Sequence, residues 1–331
     1  MKKYLIFILS FTIFFYIFSC KKSEEIDPSR ALTFSSDTIF FDTIFSSIPT
    51  AHKKLTVYNK GKSKLTIDRI WLAGAAGSAF KTIINGQITD FQEAVPLNGG
   101  DSLFILISVN LNPQNLSNPY IISDSVMFSV KQREYKVRLK AYARDAIFLN
   151  NAIIECNSVW TNKKPYVIYN SATVSPGCTL TIEKGVEVYF HDKSELKIEG
   201  TLIVNGKKDT IVTFAGDKLT KGYEELAGQW NGIVFKSTSR NNKISYAFIK
   251  NAVDGLRKEA VADNDTIPEL TVNNTFIKNM SGYGVLAYAS DVYLVNTVIT
   301  NCVKNAFAGL GGGNYHFDFC TFANYSYDFF R

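Results

Sequence analysis

The octapeptide VNNTFIKN, which ends at Asn279, returns as LVNTVITN, which ends at Asn301. With the final asparagine as anchor, matching positions fall at Asn251, Asn279, Asn301 and Asn324, at spacings of 28, 22 and 23 residues. Two positions before the anchors stand Ile249, Ile277, Ile299 and Phe322; four before stand Ala247, Thr275, Thr297 and Cys320; seven before stand Ile244, Val272, Leu294 and Phe317. Each column keeps one chemical character. A repeat of this length restricts the chain to stacked architectures, because one copy cannot bury its own apolar face.

Within each copy the spacing of two puts side chains on one face of a strand, and the odd step between the fourth and seventh positions marks a corner. Two columns of large apolar residues and one of small residues suit a narrow core. Strand, corner and returning strand describe one coil of a parallel β-helix, stacked on the next at about 4.8 Å. The longer spacing is absorbed by the polar insertion Ala260 to Pro268, which is expected to loop outward. Four asparagines in one column read as a structural ladder from coil to coil, since a repeated amide serves a repeating backbone better than one ligand.

The earlier stretch GCTLTIEKGVEVYFHDKSELKIEGTLIVNGKKDTIVTFAG, followed by GQWNGIVF, has the same style of short β runs ended by glycine or charged turns. It resembles the opening coils of right-handed β-helix proteins, in particular surface lipoproteins that join such a coil to an Ig-like domain. The resemblance runs from about Asn157 to the end and implies a right-handed parallel β-helix over 147–331, in line with the general hand of parallel crossovers. The sequence ends at YSYDFFR, a short step past the last anchor, with no cap visible. The coil is therefore expected to be incomplete, or covered at that end by a protein partner.

From Leu32 to about Asp145 apolar and polar residues alternate in short runs broken by turns. In HKKLTVYNKGKSKLTIDRIWL, Leu55 and Val57 share a face, Asn59 to Gly61 turns the chain, and Leu65 and Ile67 are expected to return on that face. About seven such strands without a helical period predict an antiparallel β-sandwich over 32–146. VYNKGKSKLTI, PLNGGDSLFILISVNLNP and YKVRLKAYA resemble the Ig-like domains of the abnormal-spindle and hydin group, which implies a spacer or docking module. The fold class expected of the whole chain is all-β.

The first residues combine Lys2 and Lys3 with an apolar run from Tyr4 to Phe18, which reads as a secretory signal over 1–19. Ile17-Phe18-Ser19-Cys20 resembles the lipobox of bacterial lipoproteins, which implies lipidation at Cys20. KKSEE then opens a polar tether over 20–31, and its acidic pair is similar to the surface-export signal of Bacteroidota-type lipoproteins. Together these imply an outer-membrane lipoprotein exposed at the cell surface, held to the membrane by its lipid. Of 36 basic residues Lys2 and Lys3 leave with the signal, so against 30 acidic ones the mature chain carries +4, too mild for a nucleic-acid partner.

Cys156 and Cys178 are one coil apart in sequence, so they face each other as a disulfide or as two stacked thiols. Cys320, in the small-residue column, is expected to be a buried thiol. Ten residues before the anchors lie Asn241, Glu269, Asp291 and Asn314. Glu269 and Asp291 then sit on adjacent coils, at a separation suited to a glycosidase pair or to shared Ca²⁺, or they simply begin their strands. His316 with Asp318 offers a general base and a carboxylate on the next coil; His191-Asp192 falls on a turn, and Asp263 and Asp265 in the insertion lack the spacing of a Ca²⁺ loop. No metal site or cofactor is predicted. Tyr223, Trp230, Tyr283, Tyr288 and Tyr293 offer rings for stacking on sugars, with Trp230 alternatively covering a coil edge. The expected role is non-catalytic binding or scaffolding, with a glycan as ligand. The alternatives are a polysaccharide lyase or hydrolase using the outer carboxylates, and an adhesin or scaffold for another envelope protein.

Overall fold

The computed structural model describes residues 32–219, 222–259 and 268–324. The signal peptide, the tether with Cys20, Asp263 and Asp265, and the final YSYDFFR lie outside them. Apart from a single 3-10 turn, Ala75–Gly77, the described regular elements are β-strands. No helix among the described residues is long and apolar enough to cross a membrane.

The N-terminal strands form two five-stranded sheets. One runs in the order Thr33–Phe34, Lys53–Tyr58, Ser102–Val109, Phe80–Ile84, Gln87–Ile88; the other runs Thr38–Phe45, Arg133–Arg144, Tyr120–Val130, Leu65–Leu72, Phe91–Leu97. Alternation buries one side of each strand: Leu55, Val57, Ile105 and Ile107 in the first sheet, and Ile67, Ile70 and Phe128 in the second, have no exposed surface. Leu65 and Ile67 do not return beside Leu55. Their strand pairs with Phe91–Leu97 in the other sheet, because the buried Asn59 holds the chain through a crossover, its amide donating to the carbonyls of Ser63, Leu97 and Asn98. By contacts the chain separates into two compact units: the described residues up to Ile39 with His52–Ser108 and Asp124–Arg138, and Phe40–Ala51 with Val109–Ser123 and everything from Leu139 onward.

In the second unit the chain visits three parallel stacks in a fixed cyclic order, giving a solenoid-like arrangement. The first stack holds Val159–Trp160, Thr179–Glu183, Thr201–Asn205, Asn242–Ser245, Leu270–Asn273, Val292–Val295 and Tyr315–Asp318. The second continues through Glu187–Phe190, Val212–Gly216, Ala247–Lys250, Phe276–Met280, Val298–Cys302 and Thr321–Ala323. The third runs through Glu195–Ile198, Gly232–Phe235, Leu256–Lys258, Val285–Tyr288 and Phe307–Leu310. The long strand Tyr166–Val174 bends at Asn170 and starts both the second and the third. Cys156 and Cys178 are joined by a disulfide across the first coils.

The repeat columns lie in register. Ile244 pairs with Val272, Val272 with Leu294 and Leu294 with Phe317; Ile249 pairs with Ile277, Ile277 with Ile299 and Ile299 with Phe322. Ala247, Thr275 and Thr297 are buried, and the two threonines donate their hydroxyls to the carbonyls of Asn273 and Val295. Cys320 is only half-buried, since Phe317 and Phe322 beside it are themselves about 40% exposed. Cys302 is the buried thiol, and burial pushes it up to about 11.

Asn251, Asn279 and Asn301 all adopt the left-handed conformation, with φ of 67°, 60° and 54°. Asparagine tolerates it because its short amide bonds locally. Asn279 Nδ2 donates to Asn251 Oδ1 and Asn301 Nδ2 to Asn279 Oδ1. Asn324 uses its amide on backbone instead, accepting from Cys302 N and donating to the Lys304 carbonyl. A second ladder, Asn274 with Asn296, occupies the preceding corner, where Tyr246 and Phe319 share the same positive φ.

The segment from Gly222 to Gly228 lies along the outer edge of the first ladder. The Glu224 carbonyl accepts from Asn251 Nδ2 at 2.9 Å, and the Glu225 carboxylate accepts from Asn279 Nδ2 at 2.5 Å and from Lys278 Nζ at 2.7 Å. These donors, Lys278 first and Asn279 second, hold the Glu225 carboxyl below its usual range.

Candidate functional site

Glu269 and Asp291 do stand on neighbouring coils, but both are taken up by the backbone. The Glu269 carboxylate accepts from Asp291 N at 2.5 Å, and Asp291 accepts from Asn314 N at 2.6 Å and from the Asn314 amide. Glu269 is 7% exposed. Each carboxylate thus terminates the corner of the next coil, which corrects the expectation of an outward catalytic or Ca²⁺-binding pair. Among the described residues no group of three or more His, Cys, Asp or Glu side chains is placed to hold a metal ion.

His316 and Asp318 lie on the outer face of the first stack, with Nε2 3.3 Å from the carboxylate. Tyr293, one coil earlier and paired with His316, adds a third member: its hydroxyl donates to Asp318 at 2.5 Å and its ring meets the imidazole edge-on at 4.9 Å. That bond raises the Tyr293 phenol, so it stays protonated as a donor. The imidazole is 70% exposed, and among the described residues no wall around the cluster would exclude water from a reaction.

A second histidine arrangement, not legible from spacing, is better enclosed. His191 bonds Asp217, one coil on, at 2.8 Å through Nδ1, and stacks on Tyr169, one coil back, at 4.4 Å. Its partner is therefore Asp217 and not the adjacent Asp192. Burial, with the nearby Asp217 charge, pushes the Tyr169 phenol up to about 12.

The aromatic candidates separate. Trp230 has no exposed surface, so the expectation that it presents its ring to a sugar is corrected: it stacks on Phe190 inside the coil at 3.9 Å and donates Nε1–H to the Lys250 carbonyl. Gly232, two residues on, leaves its strand room to pass the Asp254 carbonyl, which would lie 2.0 Å from any Cβ. Tyr288 is 53% exposed but belongs to the third stack, and Tyr293 to the first, so the two rings do not form one platform. Tyr223 and Tyr283 each sit under an ammonium, of Lys218 and Lys304 respectively.

The rings that do converge are others. An open groove of about 730 Å³ crosses successive coils at the corner between the first and second stacks. Tyr246, Phe248 and Phe276 supply rings, Asn274 and Asn296 supply the bonded amides of the second ladder, and Lys208 stands at the rim. Phe248 pairs with Phe276, with centroids 5.6 Å apart. Outward parity after the corner puts Phe276 in this wall; its place in VNNTFIKN was the available signal.

No protein-family model matches the chain, and no curated protein sequence matches it. Among solved structures it is similar to a family 123 glycoside hydrolase from Clostridium perfringens (7% identity, TM-score 0.25), covering 34% of this chain and 26% of that one. It is similar also to PapD-like domain 7 of human CEP192 (11% identity, TM-score 0.24, 35% and 86% covered). A protein of unknown function from Porphyromonas gingivalis W83 overlaps 38% of this chain and 60% of its own, at 13% identity and TM-score 0.26. Overlaps of this size carry no information on function.

Proposed function

We propose that this chain is a lipid-anchored cell-envelope protein, an Ig-like sandwich followed by a right-handed parallel β-helix, whose groove binds a glycan without cleaving it. The groove carries the reading. Sugar rings offer apolar faces and hydroxyl edges, and the groove sets paired phenyl rings beside paired carboxamides. Coils are spaced by about 4.8 Å, close to the length of one sugar residue, so a glycan laid along the stack meets Phe248 and Phe276 with one unit after another and Asn274 and Asn296 likewise. Use of Glu269 and Asp291 as backbone acceptors favours binding over hydrolysis. The anchor rests on the lipobox-like Ile17 to Cys20.

Incubating the protein with acidic and neutral polysaccharides, with and without Ca²⁺, should give retention with no new reducing or unsaturated ends. Phe276→Ala should weaken retention about tenfold, or about 1.4 kcal/mol, at unchanged melting temperature. Release of cleaved ends would sink the non-catalytic reading, and full affinity in Phe276→Ala would move the site elsewhere. The anchor is checked in the same expression host by fatty-acid labelling, which Cys20→Ser should abolish.

A further inference from the structure

We propose that the groove's ligand is an anionic oligosaccharide, whose carboxylate or sulfate groups are met by Lys208 in its lining and by Lys250, two residues past the lining ring of Phe248. This rests on the glycan reading and narrows it to a charge class. None of the ten residues that line the groove is acidic, and one, Lys208, is basic. Lys208 projects from the tight turn closed by the Lys207–Thr210 bridge and is exposed.

Beside the groove, Lys250 and Lys278 follow the lining residues Phe248 and Phe276 by two residues on paired strands, so rings and ammoniums point outward together. Both ammoniums lie over the Phe248 ring, at 5.5 and 5.7 Å from its centroid. Their charges are not equally available. Lys278 is matched by the Glu225 carboxylate at 2.7 Å. Lys250 has the neutral Glu224 carbonyl at 3.4 Å and feels the Glu225 carboxylate only through space, without an ion pair to it. Around the groove Lys207, Lys208, Lys250 and Lys278 stand against Asp209, Glu224 and Glu225, an excess of one positive charge, and none of those carboxylates lines it. A neutral glycan has no use for that charge. An acidic one gains charge-assisted contacts to Lys208 and Lys250 while its ring faces cover Phe248 and Phe276.

The test measures binding of length-matched hexasaccharides by titration calorimetry: oligogalacturonate, its full methyl ester, a sulfated hexasaccharide and a neutral glucan. Either anionic chain, or both, should bind at least tenfold tighter than the methyl ester and the glucan, and the comparison of the two anionic arms identifies carboxylate or sulfate as the group met. Affinity should fall between 50 and 300 mM salt. Lys208→Ala with Lys250→Ala should abolish the preference and the salt dependence, keeping the residual affinity for the neutral chains and the melting temperature, and Lys→Arg at both sites should restore them. Equal binding of ester and acid would overturn this proposal while leaving the glycan reading intact. Binding to none of the four would overturn both. A preference that survives the double lysine variant would also overturn it.

Discussion

Trp230→Ala is expected to lower stability by about 3–5 kcal/mol, the usual range for removing a large buried aromatic side chain, and the melting temperature by about 10 °C. The residue is fully buried, its ring lies nearly parallel to Phe190, and its indole N–H is bonded to the Lys250 carbonyl. Its backbone is tied to the coil that follows through the bridge to Ala252. Truncation removes the stack, opens a cavity between coils and leaves the carbonyl without that donor. Trp230→Phe separates these terms, since it retains a ring against Phe190 and gives up only the hydrogen bond, at about 1 kcal/mol. Thermal unfolding followed by circular dichroism measures both. A Trp230→Ala protein as stable as the parent, but without glycan retention, would return Trp230 to the surface role that its burial argues against.

Asn279→Ala is expected to cost about 2–3 kcal/mol, because two separate things are lost. The amide connects Asn251, Asn301 and the Glu225 carboxylate, a charged acceptor whose 62% exposure screens it, so these bonds are worth about 1–2 kcal/mol. The backbone at φ 60° also places alanine in the left-handed region, at about 1 kcal/mol. Asn279→Gly incurs the first loss without the second, because glycine lacks the amide but tolerates positive φ, so it should be the milder variant. Retention on glycan should be unchanged in both, since Asn279 does not line the groove; a stable variant that lost only binding would show that the ladder is a ligand site. The same contact has a pH signature. The folded Glu225 carboxyl lies below its ordinary value, so its contribution is complete above the unfolded carboxylate range and disappears as pH falls through the lowered value. In Glu225→Gln that part of the acid sensitivity should be absent from the melting temperature profile, and an unchanged profile would mean the bond does not persist in solution.

How far the chain could be understood before its structure differs by level. The coil was legible because burial repeats in it: a column such as Ile244, Val272, Leu294 and Phe317 must be apolar wherever coils stack, and asparagine recurs where the corner needs a left-handed residue. The second ladder, Asn274 with Asn296, stood in the same octapeptides but was hidden by its irregular neighbours, since Tyr246 and Phe319 fill the same corner. Glu269 and Asp291 were placed on adjacent coils by counting alone. Counting has no access to the direction of a carboxylate, and in the fold both turn along the stack to accept the next backbone N–H.

The sequence by itself determined the all-β class, the cyclic repeat and the columns that form its core, because each follows from period and parity. Tertiary structure decided what needs distances between segments far apart in the chain. Gly222 to Gly228 came to rest against Asn251 and Asn279; Asp217 and not Asp192 became the partner of His191; Trp230 went inside; and Lys278 found a carboxylate while Lys250 did not. These contacts join side chains across loops of unequal length, and no periodic pattern records where such a loop returns.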